Sequence, residues 1–135
     1  MPDINNIKIG DTLPERQHTA SNVSLFVYNA AVWNPHRIHY DERYTTEVEG
    51  HPGVVIDGPL QGDWLTQVVT RWLGEKDELI EFEYSNRRAS MLGETLTAGG
   101  TISAIDGNEV TLDLWIKNER DEVTTPGRAV ARLSP

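Results

Sequence analysis

Residues 34 to 44 read NPHRIHYDERY and place two histidines, two arginines, an asparagine, a proline and two acids in eleven positions, with little apolar material to make them core. An imidazole here suits proton transfer at neutral pH, because its unperturbed pKa lies near about 6.5. Either ring also reads as a loop histidine bonded to backbone. Asn34 cannot carry a proton, but its amide both donates and accepts; before a proline it is also ordinary turn chemistry. Further along, Asp57-Gly58-Pro59 opens a run with helical periodicity. The free N–H groups and positive end of such a helix favour developing negative charge, and Pro59 has no N–H, so Gly58 is the donor. The same Asp-Gly pair also reads as a plain turn. Arg87 and Arg88 are the one adjacent arginine pair in an acidic chain, suited to a phosphate or to pairing with surface acids. His36 and His39 stand three apart in a loop, without the acid placement of a zinc helix, so no metal site is expected.

The rest of the chain narrows what those residues can serve. At 135 residues it is expected to form one domain with one core. A formal charge of −9 and a pI near 4.8 oppose nucleic-acid binding, so an anionic ligand must meet a local basic spot. With no cysteine there is no disulfide, thiolate metal site or cysteine nucleophile. That composition fits a cytoplasmic setting, and no apolar run reaches the length of a membrane span or signal segment.

Elements that would position the polar stretch follow from punctuation and period. Ser21 or Ser24 caps a short helix through SLFVYNAAV, with Leu25, Phe26, Asn29 and Val32 on a partly apolar face. Pro35 ends it near Trp33-Asn34. A helical turn is expected from Asp41 to about Val48. A longer helix is expected from Pro59 to Leu73, with Gly74 as its C′ glycine. On it Leu60, Trp64, Leu65, Val68, Val69, Trp72 and Leu73 span roughly 220°, which requires enclosure on most sides. The period then becomes two. Ile80, Phe82 and Tyr84 alternate with Glu81 and Glu83; Leu96, Ala98 and Ile102 share a side; so do Val110, Leu112, Leu114 and Ile116; and GRAVARL alternates again. Short connections make these strands antiparallel. The expected architecture is α+β, a long antiparallel sheet curled around a central helix.

Four segments carry a resemblance: IKIGDTLPE, NPHRIHYDERY, EGHPGVVIDGPL and FEYSNRRASMLGETLTAGGTI. Together they resemble the MaoC-like (R)-specific enoyl-thioester hydratases and 3-hydroxyacyl-thioester dehydratases of the hot-dog fold, and most nearly the type 2 hydroxyacyl-thioester dehydratase branch. HRIHYD followed at this distance by EG.PG.VV..GPL is the specific part. The family's common form is Asp-x-Asn-Pro-x-His with the Asp and last His as catalytic pair. With His39 as that His, Asn34 occupies the Asp position, His36 the Asn and Arg37 the Pro. The type 2 branch reads Asn-x-His-Arg-Ile-His, as here. Further departures are Asp57, where relatives often carry His, and Ser85 and Ala89, where they tend to carry Arg and Pro.

The resemblance implies one MaoC-like hot-dog domain over residues 1–135 that hydrates a 2-enoyl thioester or dehydrates the 3-hydroxyacyl form. It implies His39 as acid and base, Asn34 orienting water, and the Gly58 amide holding the thioester oxygen. Arg37, Asp57, Arg87 and Arg88 are the expected substrate-binding residues. No cofactor is expected, the substrate being carried as a coenzyme A or phosphopantetheine thioester, free or on an acyl carrier. The expected partner is a second hot-dog chain, in a homodimer or heterodimer, with no nucleic acid and no membrane. A half-competent acyl-thioester-binding subunit, a thioesterase on the same scaffold and a ligand-free assembly domain are the rival readings. If Asn34 orients water, Asn34→Asp should keep or increase activity.

Overall fold

In the computed structural model, which describes residues 1–135, five strands form one antiparallel sheet: β1 (Arg16–Thr19), β2 (Glu78–Tyr84), β3 (Thr95–Asp106), β4 (Glu109–Lys117) and β5 (Val123–Arg132), in the spatial order β1-β3-β4-β5-β2. The helices are α1 (Asn22–Ala31), α2 (Glu42–Glu47) and α3 (Gly58–Trp72), with a turn of 3-10 helix at Arg37–His39 between α1 and α2. This is the expected α+β hot-dog arrangement. The sheet curls around α3, which packs on β2, β3, β4 and β5.

The core is built by the two periodicities meeting. From α3 come Trp64, Leu65, Val68 and Val69, from the sheet Leu96, Ala98, Ile102, Val110, Leu112, Leu114, Ile116 and Ala129, and just after β5 Leu133, all buried. Close approach of the helix needs a small residue opposite it. A Cβ on Gly127 of β5 would stand 3.1 Å from the Leu65 side chain and 3.0 Å from the Glu83 carbonyl. Burying side chains of this size stabilises by about 1.5–3 kcal/mol each before entropy is counted.

Two local expectations differ from the structure. Strand β2 does not alternate as Ile80, Phe82, Tyr84. A register shift between Leu79 and Glu81, against β5, puts Leu79 rather than Ile80 on the core side and leaves Ile80 exposed, while Phe82 and Tyr84 keep a common side, Tyr84 against Gly62 of α3. A bulge changes which face each later residue occupies, and strict alternation cannot anticipate it. At the end of α3, Gly74 does not adopt a left-handed conformation. The chain leaves through Leu73 in an extended conformation instead, and the Asp77 carboxylate accepts the Gly74 N–H at 2.7 Å.

The segment that holds the polar stretch is pinned by backbone bonds rather than by sheet. Val55 N–H donates to the Ile38 carbonyl at 2.9 Å, Ile56 N–H to Ser90 O at 2.8 Å, and Leu92 N–H to Val54 O at 2.8 Å. Residues 54–56 are therefore clamped between the His39 turn on one side and residues 90–92 on the other.

Candidate active site

Helix α1 begins with a reciprocal capping box, in which Ser24 N–H donates to Ser21 Oγ at 3.1 Å and Ser21 N–H to Ser24 Oγ at 2.8 Å. It buries only Leu25 and Asn29. Trp33 follows in the left-handed region, at φ 56°, a conformation uncommon for a bulky residue. This reversal, just before Pro35, brings Asn34 N–H onto the Asn29 carbonyl at 2.9 Å and turns the Asn34 side chain inward. His36 then caps the 3-10 turn, accepting the Ile38 N–H at 3.3 Å, and His39 closes that turn.

His39 is 8% exposed, and its Nδ1 lies 2.7 Å from the Val55 carbonyl oxygen. A carbonyl can only accept, so Nδ1 carries the hydrogen and Nε2 keeps the free lone pair. The ring lines a cleft of about 680 Å³ together with Phe26, Tyr40, Pro52, Val54 and Leu92. A second cleft of about 370 Å³, with Trp33, Asn34 and Pro35 on its wall, shares Phe26 and Tyr40 with the first.

Asp57 occupies the N-cap position of α3 but gives its helix no side-chain cap. Its carboxylate turns into the protein and is 0% exposed. There Oδ1 accepts from Asn29 Nδ2 at 3.1 Å and Oδ2 from Asn34 Nδ2 at 3.2 Å, and Oδ1 stands 3.5 Å from His39 Nδ1. Both amides are oriented by further bonds. Asn29 Nδ2 also donates to the Leu25 carbonyl at 2.8 Å, and Asn34 Oδ1 accepts the His36 N–H at 3.2 Å. Asp57 thus sits behind His39 rather than on an open binding surface. Sequence reasoning grouped it with substrate contacts; full burial gives it other side chains as partners.

Gly58, next in the chain, opens α3, and as the first helical residue its N–H has no acceptor within the helix. A Cβ here would collide with the Asn86 amide, so the glycine admits that side chain against the helix tip. The Thr125 hydroxyl bridges Asn86 Oδ1 at 3.2 Å and the buried Gln61 Oε1 at 2.8 Å, which fixes this wall from the sheet side. Tyr28, on α1, has its phenol pKa pushed up to about 12 by burial and by the charges of Asp63 and Asp57, so it remains a neutral hydroxyl across the physiological range.

The arginines separate. Arg88 is paired with Glu122 at 3.0 Å, while Arg87 donates through Nε to Ser85 Oγ at 2.9 Å and borders a shallow cleft of about 380 Å³ with Tyr84 and Arg128. Arg37 is held by Asp41 at 2.8 Å and lies over the Tyr44 ring at 4.0 Å; the Asp41 hydrogen bond raises its pKa further. Of the three, Arg87 alone has no carboxylate partner. No three His, Asp or Glu side chains converge as metal ligands, and no helix is long and apolar enough to cross a membrane.

His39, Asn34, Asp57 and Gly58, named from the sequence, converge at the start of α3. Asn29, Tyr28 and Asn86 were missed. Asn29 carried a signal: a polar amide on the otherwise apolar side of α1, one turn after Leu25. Nothing local distinguished Tyr28 or Asn86.

Comparison with known proteins bears on the family and the fold. The sequence profile of the hydroxyacyl-thioester dehydratase type 2 family matches residues 5–92. The mitochondrial hydroxyacyl-thioester dehydratase type 2 of Saccharomyces cerevisiae is 25% identical over 92 residues, covering 68% of this chain and 32% of the yeast protein. Mesaconyl-C(4)-CoA hydratase of Chloroflexus aurantiacus is 53% identical over 36 residues, 27% of this chain and 13% of that protein. The chain therefore matches a third or less of the length of these relatives. Among solved structures, the (R)-hydratase from A. caviae involved in PHA biosynthesis superposes with a TM-score of 0.86 at 15% identity, covering 96% of this chain and 98% of that one, which is a likeness of fold. The chain belongs to the hydroxyacyl-thioester dehydratase type 2 family.

Proposed function

We propose that the domain catalyses reversible hydration of a 2-enoyl thioester to a (R)-3-hydroxyacyl thioester. His39 Nε2 takes a proton from water as the oxygen adds to C3, and the displaced electrons move to the thioester oxygen. The Gly58 N–H, at the positive end of α3, stabilises that charge. The imidazolium then returns its proton to C2, so one ring serves both transfers and no cofactor is consumed. Carrying this reading is the bond from Nδ1 to Val55 O, which leaves a basic nitrogen on a cleft-lining ring, in contact with the residue that precedes Gly58.

Arg87 is the basic group suited to a coenzyme A or phosphopantetheine phosphate, since its charge is not already neutralised. A second hot-dog chain, identical or not, would cover the apolar surface of α1 and the turn after it, where Phe26 is 70% and Trp33 89% exposed. A half-competent subunit remains the alternative favoured by the amide at position 34. Incubating the purified chain with a panel of 2-enoyl-CoA esters should convert them to (R)-3-hydroxyacyl-CoA without releasing thiol. Free thiol in a trapping assay would establish the thioesterase instead, and substrate binding without turnover would establish the half-competent subunit.

A further inference from the structure

Helix α3 begins with an aspartate that does not cap it. The Asp57 carboxylate has no exposed surface, and burying such a group is costly unless it is paired and hydrogen-bonded. An N-cap aspartate ordinarily meets that need by accepting N–H bonds from its own helix. Here it forgoes them, and two asparagines from outside the helix supply the donors instead. Each is tethered at its own end, Asn29 to Leu25 O and Asn34 to the His36 N–H, so the carboxylate is gripped from two sides. The direction left open is toward His39 Nδ1, 3.5 Å away.

We infer that Asp57 is the charged positioning partner of His39, held in place by Asn29 and Asn34; this rests on the hydration proposed above. While the ring is neutral, its Nδ1 hydrogen belongs to the Val55 carbonyl. When Nε2 takes the proton from water, the ring becomes a cation with a fixed anion beside it. The anion stabilises that cation and touches no substrate. Asn34 acts one step further back, as the support of the carboxylate.

Asp57 is the carboxylate that touches the ring, and Glu42 is the other acid at the cleft. The ring's neighbours in the same turn are His36, 5.8 Å between ring centroids, and Arg37, already neutralised by Asp41. Helix α1 presents Phe26 and Asn29, and α2 presents Glu42 at the cleft. Residues 52–54 and 91–92 face the cleft without charge.

The test measures the proton-binding midpoint of His39 by NMR titration of its ring, and kcat and KM for crotonyl-CoA, in the natural protein, in Asp57→Asn and in the exchange variant Asn34→Asp/Asp57→Asn. Asp57→Asn should lower the His39 midpoint. It should lower kcat by about tenfold to a hundredfold, with KM within about threefold. The exchange variant again sets a donor against an acceptor at the 34–57 contact, with the charge moved away from the ring, so its midpoint should fall between the other two. If Asp57→Asn does not fold, a lowered midpoint in the exchange variant is the expected result. An unshifted His39 midpoint in the folded variants overturns the inference. The titration requires no turnover, so an inactive natural protein would count against the proposed function and leave the test of Asp57 standing.

Discussion

The interior between α3 and the sheet and the Asp57 carboxylate are both buried, yet they are held by different kinds of force. Between α3 and the sheet, many apolar contacts share the load, and each side chain has several equivalents. Around Asp57, three side chains from three segments meet one carboxylate, each through a single contact between 3.1 and 3.5 Å. Damage to the first should be graded and appear as stability. Damage to the second should be abrupt and appear as activity.

The largest loss of stability is expected from Leu65→Ala. Leu65 is completely buried where α3 touches β5, and such a truncation costs about 2–5 kcal/mol. Denaturant unfolding should show that loss, while turnover per folded molecule stays near that of the natural protein. A comparable loss of turnover would mean that the two regions are not separable.

Asn34→Asp should have a smaller effect on stability and a larger one on function. The amide it replaces donates to Asp57 at 3.2 Å, so the substitution sets two carboxylates against each other. A loss of about 1–3 kcal/mol is expected at neutral pH, relieved on acidification as one of the pair takes a proton, with reduced kcat. Were residue 34 acting only on water, activity would survive, as sequence reasoning alone anticipates.

The mildest expected effects are at the arginines. Arg87→Ala should raise KM for CoA esters more than for short pantetheine analogues, whereas Arg88→Ala, which breaks an ion pair with Glu122, should change stability by at most about 1 kcal/mol. Equal KM effects in the two variants would remove the distinction drawn here between a free and a paired guanidinium.

The same contrast explains how much was legible beforehand. Strand β4 and helix α3 announce themselves because burial on one face repeats at a fixed period over nine residues or more. The β2 bulge is hidden because it depends on how β5 pairs with it. At the site, His39, Asn34 and Gly58 are found through a motif, but the work of Asn34 is not. Its amide points to Asp57 only because Trp33 turns left-handed, and Asn29 enters from a helix that precedes the motif. Asp57 was visible as a departure before the glycine, and its meaning lay in three contacts across 18 to 28 residues of chain.

The most direct test of the proton-transfer role is crotonyl-CoA hydration by the natural protein and by His39→Ala, each shown to be folded. The natural protein should form (R)-3-hydroxybutyryl-CoA, and the variant should be slower by roughly two orders of magnitude or more. Equal rates in the two proteins would contradict the account.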